Sequence, residues 1–326
     1  LRIVLMQLPS LLELEDAASL VHAAMTPTMH YNWPLLSERC RCDVWVKHEN
    51  HSPIGAFKVR GGIVFMDDLN RRGDCLGVIT ATRGNHGQSI GLAARRAGIK
   101  AVIVVPEGNS VEKNAAMTAL GVELVVEGHD FQVAREYAMA RGAAEGLVPI
   151  PPFHPLLVRG VGTYALEFLR AVEGVDTVYV PIGMGSGICG VMAVRDALGL
   201  KTEIIGVVAE QANAYELSFA AGHVVSTNNA DTMADGLACR TPEPDAVALI
   251  NKGASRVVSV SEAEIKAAMR IYYTDTHNLA EGAGASPLAA LLKETALHEG
   301  KKVGLILSGG NVDMDVFEGV LAERAQ

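Results

Sequence analysis

The chain has 326 residues, of which 49% are hydrophobic and 20% charged, and a formal net charge of −9. Its length suits two modest domains, or one large one, around a well-buried core. The acidic balance argues against a nucleic-acid or anionic-membrane surface, and no apolar run approaches the roughly 18–20 residues of a membrane span.

The first stretch, "LRIVLMQLPSLLELEDA", lacks the pattern of a secretory signal, and Met6 offers an alternative start. The five cysteines, Cys40, Cys42, Cys75, Cys189 and Cys239, form no C-x-x-C pair. They read as free thiols of a reducing cytoplasm. Next comes "KHENHSPIGAFKVRGG" (47–62), with Lys58 between Phe57 and Val59. A lysine here is either a solvated helix residue or, if desolvated, an amine of lowered pKa able to form an imine.

From residue 75 the chain alternates. "CLGVITAT" leads into "GNHGQSIGLAARRAG", "KAVIVVPEG" into "SVEKNAAMTALG", and "VELVVEG" into "DFQVAREYAMARGAAEG". This β-α-β-α-β-α order predicts a parallel sheet with crossover helices, and its Val/Ile-rich strands suit burial on both faces. Within it, the loop "TATRGNHGQSIG" (80–91) ends a strand and opens a helix, so its N–H groups and Asn85 suit a carboxylate or a ring hydroxyl. His86 is read as a structural ring whose backbone N–H matters more than its imidazole.

A Pro-rich break, "PIPPFHP" (149–155), separates this unit from a second one. The second carries a helix around "TYALEFLRAV", strand "TVYVPI", a helix from Ile188 to Leu198, strand "TEIIGVVAE" and late "KKVGLILSGGN". The predicted organisation is a small unit, residues 77–151, and a discontinuous large one, residues 1–76 and 152–326, with a ligand crevice between them.

"PIGMGSGICG" (181–190) is a glycine loop between a strand and a helix, hence an anion site. Its G-x-G-x-x-G spacing, with Glu210 ending the next strand, also fits a nicotinamide oxidoreductase. A plain tight turn without ligand fits as well. Ser308 in "LILSGGNVD" ends another buried strand, beside two glycines that admit close approach.

Taken together, "TPT" (26–28), "AFKVRGG", "GNHGQ", the glycine loop, "AEGAGAS" (280–286) and "SGGNVD" resemble the fold-type II pyridoxal-phosphate enzymes. The likeness is to the serine/threonine dehydratase and serine racemase branch, and it runs over nearly the whole chain. It implies two open, twisted, mostly parallel sheets with flanking helices and the cofactor in the cleft between domains. Lys58 would carry the cofactor as an imine and Phe57 would flank it. Asn85 would bond the ring hydroxyl, and Ser308 would face the pyridine nitrogen. Gly183, Met184, Gly185, Ser186 and Gly187 would cradle the phosphate. Glu281 would lie near the ring, from a loop of small residues. Thr82, Asn85 and His86 would bind the substrate carboxylate, largely through main chain.

The implied reaction is β-elimination from a hydroxy amino acid such as threonine or serine, giving a 2-oxo acid and ammonia. Released Lys58 would serve as base, and the cofactor phosphate is the candidate donor to the departing hydroxyl. A neutral serine beside the ring nitrogen favours elimination over transamination.

Several positions depart from the family pattern. Arg83 stands where the racemase has a serine that handles the second-face proton, and arginine is a poor base. It suits instead a second carboxylate, as in 3-hydroxyaspartate, or the ring of phenylserine, or a local acid. Ala56 replaces a frequent serine, and Met184 and Ser186 interrupt the glycine run. "AEQANAYE" (209–216) resembles the family's Mg²⁺ or Ca²⁺ loop through Glu210, the Ala214 carbonyl and Glu216, where the racemase ends in aspartate. The resemblance implies a cytoplasmic homodimer acting on a small amino acid, with no nucleic-acid or membrane partner. The C-terminal regulatory domain of biosynthetic threonine dehydratases is not expected.

Overall fold

The computed structural model describes residues 6–73 and 75–323, so the residues before Met6 lie outside the described part. Ten strands are described: β1 (His30–Asn32), β2 (Asp43–His48), β3 (Val78–Ala81), β4 (Ala101–Val105), β5 (Glu123–Val126), β6 (Val148–Pro149), β7 (Thr177–Pro181), β8 (Glu203–Ala209), β9 (Arg256–Val260) and β10 (Lys302–Leu307). They form two sheets. One has the order β1-β2-β10-β7-β8-β9, and the other β5-β4-β3-β6. Every pairing is parallel except β1 with β2.

Both sheets are covered on both faces, which explains why inner strands such as β4, β7, β8 and β10 are almost continuously apolar. Against the six-stranded sheet, one layer sets Phe168, Ile188 and Met192 on Val178, Val180 and Ile204. The opposite layer sets Met269, Leu288 and Leu291 on Val44, Ile205 and Leu305. The four-stranded sheet, built wholly from residues 78–149, packs Ile90 and Met117 on one face and Ala134 and Ala138 on the other. The helix Val59–Arg72 contributes Phe65, Met66 and Leu69 to this second core, although it precedes residue 77 in the chain.

Local signals explain the element ends. Ser10 with Glu13 and Ser261 with Glu264 form reciprocal caps at the starts of the helices Leu11–His22 and Glu262–Thr276. Gly73, Gly98 and Gly146 end three helices in the left-handed region. The Pro-rich break is shorter than its composition suggests. Pro155 already opens the helix Pro155–Ala171, and His154 accepts from the Leu156 N–H. "AEGAGAS" is likewise not a loop. Glu281 caps the helix Gly282–Lys293, whose small residues let it lie against the backbone of the 308–310 turn. A Cβ on Gly284 would stand 2.4 Å from the Gly309 carbonyl.

Candidate active site

Four segments leave the carboxyl ends of parallel strands: 49–58 after β2, 82–85 after β3, 182–187 after β7 and 308–311 after β10. The crevice beyond such strand ends is where open α/β sheets bind ligands. Backbone bonds tie the segments together. Phe57 donates its N–H to the Ser308 carbonyl (2.9 Å), Gly310 to Gly55 (2.9 Å) and Glu281 to Gly309 (3.1 Å).

Lys58 sits at the start of the helix Val59–Arg72, half-buried, with its Nζ 5.0 Å from the centre of the Phe57 ring. Its amine makes no hydrogen bond or ion pair among the described residues. Burial lowers its pKa to about 8, against a modest pull upward from Glu281. The Lys58 carbonyl is held from below by the Ser89 hydroxyl at 2.5 Å.

The Phe57 ring lies 3.7 Å from where a Cβ on Gly187 would stand, so the lysine segment faces the glycine loop. In that loop Ile182 still donates to Val207 across the sheet, and Cys189 donates to Gly185 within the helix Ser186–Ala197. Between them, the N–H groups of Gly183, Met184, Gly185, Ser186 and Gly187 have no protein acceptor among the described residues. Buried amides without partners are costly, and five in succession at a helix start make an anion cradle. Gly183 cannot carry a side chain, because a Cβ would stand 2.1 Å from the Gly236 carbonyl. Gly185 takes φ +96°, which favours glycine. Met184 and Ser186 avoid that region. Tyr215 holds the Met184 carbonyl through its hydroxyl (2.9 Å), and Tyr164 holds that of Gly187 (3.1 Å).

After β3, Thr82 differs from expectation. Its N–H is spent on the Val104 carbonyl (3.0 Å), and its hydroxyl accepts from Gly84 (3.1 Å). Among the described residues the N–H groups without an acceptor are instead those of Arg83 and of Asn85, His86 and Gly87 at the start of the helix Asn85–Ala97. Arg83 is exposed and makes no ion pair among the described residues. The His86 ring is buried with Nε2 unpartnered, and burial together with the Lys58 charge lowers its pKa to about 3. It stays neutral at ordinary pH and is a weak base.

Glu281 is buried and accepts from the Asn85 amide at 2.8 Å. Burial raises its pKa to about 7, opposed by the Lys113 charge and by the Asn85 bond. Lys113 crosses over Gly84 to pair with Asp235 at 2.8 Å, and Ser110 donates to Asp313 at 2.6 Å. These contacts link the two sheet units at the mouth of the crevice. Ser308 is buried, and no side-chain bond of its hydroxyl is described.

Glu210, Ala214 and Glu216 lie away from these segments, after β8. Glu210 is exposed, 3.8 Å from Lys293. Glu216 accepts from the Ser259 hydroxyl (3.1 Å), and the Ala214 carbonyl from that of Ser218 (2.7 Å). Among the described residues no group of three or more His, Cys, Asp or Glu side chains is placed to hold a metal ion.

The sequence assigns no site role to Tyr164, Tyr215, Lys113 or Asp235. Each reaches the site from a distant segment, and none carries a local signal. Asn311 stood inside a noticed motif but without a role.

Two parallel-sheet units meet at a desolvated lysine opposite a glycine loop, an α/β arrangement that sets backbone anion donors beside an amine. A model of the family described as pyridoxal-phosphate dependent enzyme matches residues 21–309, and the chain belongs to that family. It is 34% identical over 296 residues to the L-threonine dehydratase biosynthetic IlvA of Escherichia coli, covering 89% of this chain and 57% of that one. The chain thus spans little more than half the length of that relative. It is 32% identical over 321 residues to the L-threo-3-hydroxyaspartate ammonia-lyase of Saccharomyces cerevisiae, covering 98% of each. Among solved structures, the processed form of threonine deaminase isoform 2 from Solanum lycopersicum superposes with a TM-score of 0.88 at 30% identity, over 99% of this chain and 98% of that one. The fold is therefore fold-type II, as the resemblance implied.

Proposed function

We propose that this protein is a pyridoxal-phosphate dependent ammonia-lyase that removes water and then ammonia from a β-hydroxy amino acid, with threonine or serine as the first candidates. The observation that carries the reading is the Lys58 amine, its pKa lowered to about 8, on a segment that faces the 183–187 amides, both without partners among the described residues. The donor set fits the cofactor. Lys58 supplies the amine for its aldehyde, and Gly183, Met184, Gly185, Ser186 and Gly187 supply N–H groups for its phosphate. Phe57 flanks the ring, Asn85 donates to its hydroxyl, and Ser308 offers a neutral hydroxyl to its nitrogen, with Glu281 alongside.

Bound pyridoxal phosphate supplies an electron sink that makes the substrate Cα–H acidic. Lys58, uncharged for much of the time near pH 8, takes that proton. The substrate carboxylate rests on the N–H groups at the start of the helix Asn85–Ala97, where the helix dipole favours an anion. In this reading Thr82 contributes its hydroxyl and His86 its backbone. His86 is too weak a base to compete with Lys58. The reading assigns residues 77–151 to substrate recognition and 1–76 with 152–326 to cofactor binding, in a cytoplasmic homodimer. Glu210, the Ala214 carbonyl and Glu216 are the proposed oxygen donors for Mg²⁺ or Ca²⁺, testable as a chelator-sensitive melting temperature.

A second substrate reading rests on Arg83. It stands exposed beside the carboxylate loop with no ion pair among the described residues, and its fork matches a second carboxylate. This favours 3-hydroxyaspartate over phenylserine as the alternative substrate. The yeast relative that matches along its full length carries that substrate in its name.

The purified holoprotein should be yellow, and borohydride should leave the cofactor on the Lys58 peptide. A panel of threonine, serine, threo- and erythro-3-hydroxyaspartate and phenylserine, in both Cα configurations, should show ammonia and 2-oxo acid release from at least one. A colourless protein that binds NAD would overturn the cofactor reading. A yellow protein inert to the whole panel would overturn the lyase reading. Arg83→Ser should selectively lose the acidic substrates if the second reading holds. Uniform loss across the panel would defeat it.

A further inference from the structure

The turn after β10 inserts the Asn311 side chain between two of the site's segments. Asn311 Nδ2 donates to the Ile54 carbonyl at 2.8 Å and to Asn85 Oδ1 at 2.8 Å. Asn85 Nδ2 then donates to Glu281 Oε1 at 2.8 Å. The two ends of this chain are a backbone carbonyl and a carboxylate, and both accept when the carboxyl is ionised. The Ile54 carbonyl fixes the polarity of the two amides by itself, and the carboxylate, once ionised, dictates the same one.

Turning the Asn311 amide over would set its oxygen 2.8 Å from two other oxygens. Turning Asn85 over would oppose N–H to N–H on one side and oxygen to oxygen on the other. Because the Ile54 carbonyl cannot donate, Asn311 must present nitrogen. Asn85 must then present oxygen to Asn311 and nitrogen to the crevice. Gly55 is part of this arrangement. Its Cβ would stand 2.5 Å from Asn311 Oδ1, and its φ is +68°. Only a residue without a side chain leaves room for Asn311 there.

We infer that Asn311 is a positioning residue that locks the Asn85 amide as a donor toward the crevice. One Asn85 N–H is used on Glu281, and the second remains for an oxygen of a bound ligand. The inference rests on the reading of Asn85 as donor to the cofactor ring hydroxyl and adds the residue that makes it so. When the ring hydroxyl is ionised it can only accept, so an amide free to turn would oppose oxygen to oxygen for part of the time and weaken the contact.

The test uses the full chain as holoenzyme, with Asn311→Ala, Asn311→Asp and Asn85→Ala. Pyridoxal-phosphate affinity and the pH titration of the visible band are read, with the melting temperature of the cofactor-free proteins measured alongside. Asn311→Ala should weaken cofactor binding about tenfold, the size of one lost hydrogen bond to an ionised group. It should also move the band's titration in the same direction as Asn85→Ala. Asn311→Asp, equal in shape but with no donor for Ile54 or Asn85, should do the same. Lower melting temperatures with unmoved titrations in both Asn311 variants, while Asn85→Ala is shifted, would overturn the inference. An unmoved titration in Asn85→Ala would overturn the reading of Asn85 itself, and the inference with it.

Discussion

Glu281 offers a sharp test of how the site is built, because its pKa is raised from the ordinary 4.5 to about 7 chiefly by burial. Between those two pH values the folded protein keeps a proton that the unfolded chain has released. Folded-state stability therefore falls as pH rises through that window. At about 1.4 kcal/mol per pH unit, the full span from 4.5 to 7 corresponds to about 3 kcal/mol. Glu281→Gln keeps the shape and removes the titration. The stability difference between parent and variant should therefore shift by roughly this amount between pH 4.5 and pH 8, with the parent losing ground as pH rises. Two neighbours also titrate. His86, lowered to about 3, stabilises the fold as pH rises toward 6.5, and Lys58, lowered to about 8, acts only above that value. To first order the His86 contribution cancels between the two proteins, and the Lys58 contribution falls outside the window. Urea unfolding of the cofactor-free proteins at half-unit pH steps provides the measurement. Parallel stability curves across the range would refute the claim that a buried, proton-holding carboxyl faces Lys58.

Gly183→Ala forces a Cβ toward the Gly236 carbonyl, 2.1 Å away. Pyridoxal-phosphate affinity should fall by about tenfold or more as the amide cradle is displaced, read by absorbance titration. Gly160→Ala meets the Arg60 carbonyl at 2.4 Å, where the helices Pro155–Ala171 and Val59–Arg72 touch. Overpacking there should cost roughly 1–3 kcal/mol in urea unfolding. Arg60, fully buried, bonds Glu49 at 2.7 Å and Glu167 at 2.6 Å, with Lys47 close by. Arg60→Met takes from Glu49 its close cation and leaves Glu167 with Lys47 (2.5 Å) as its buried partner, and should cost about 3–5 kcal/mol. Burial pushes the Glu167 carboxyl up, but Arg60 and Lys47 outweigh it and bring it to about 2. That stabilisation is complete above pH 4.5 and is lost as pH falls through about 2. Without Arg60 the acid-unfolding midpoint should move to higher pH, visible by circular dichroism.

The sequence alone determined the alternation of strands and helices, because period and composition are local and the strands are apolar on both faces. It determined the glycine loop too, since a strand followed by glycines and a helix start creates unpaired amides wherever it occurs. It could not show that the Thr82 N–H is spent on β4, that "AEGAGAS" is helix rather than loop, or that Arg83 is exposed. Nor could it reveal Tyr164 and Tyr215 behind the glycine loop, or Asn311 reaching across to Asn85. Those facts depend on which distant segments the sheet order brings side by side. A hydrogen bond's polarity is settled by the partner it meets, and residues 54, 85, 281 and 311 meet only once the two sheets are assembled.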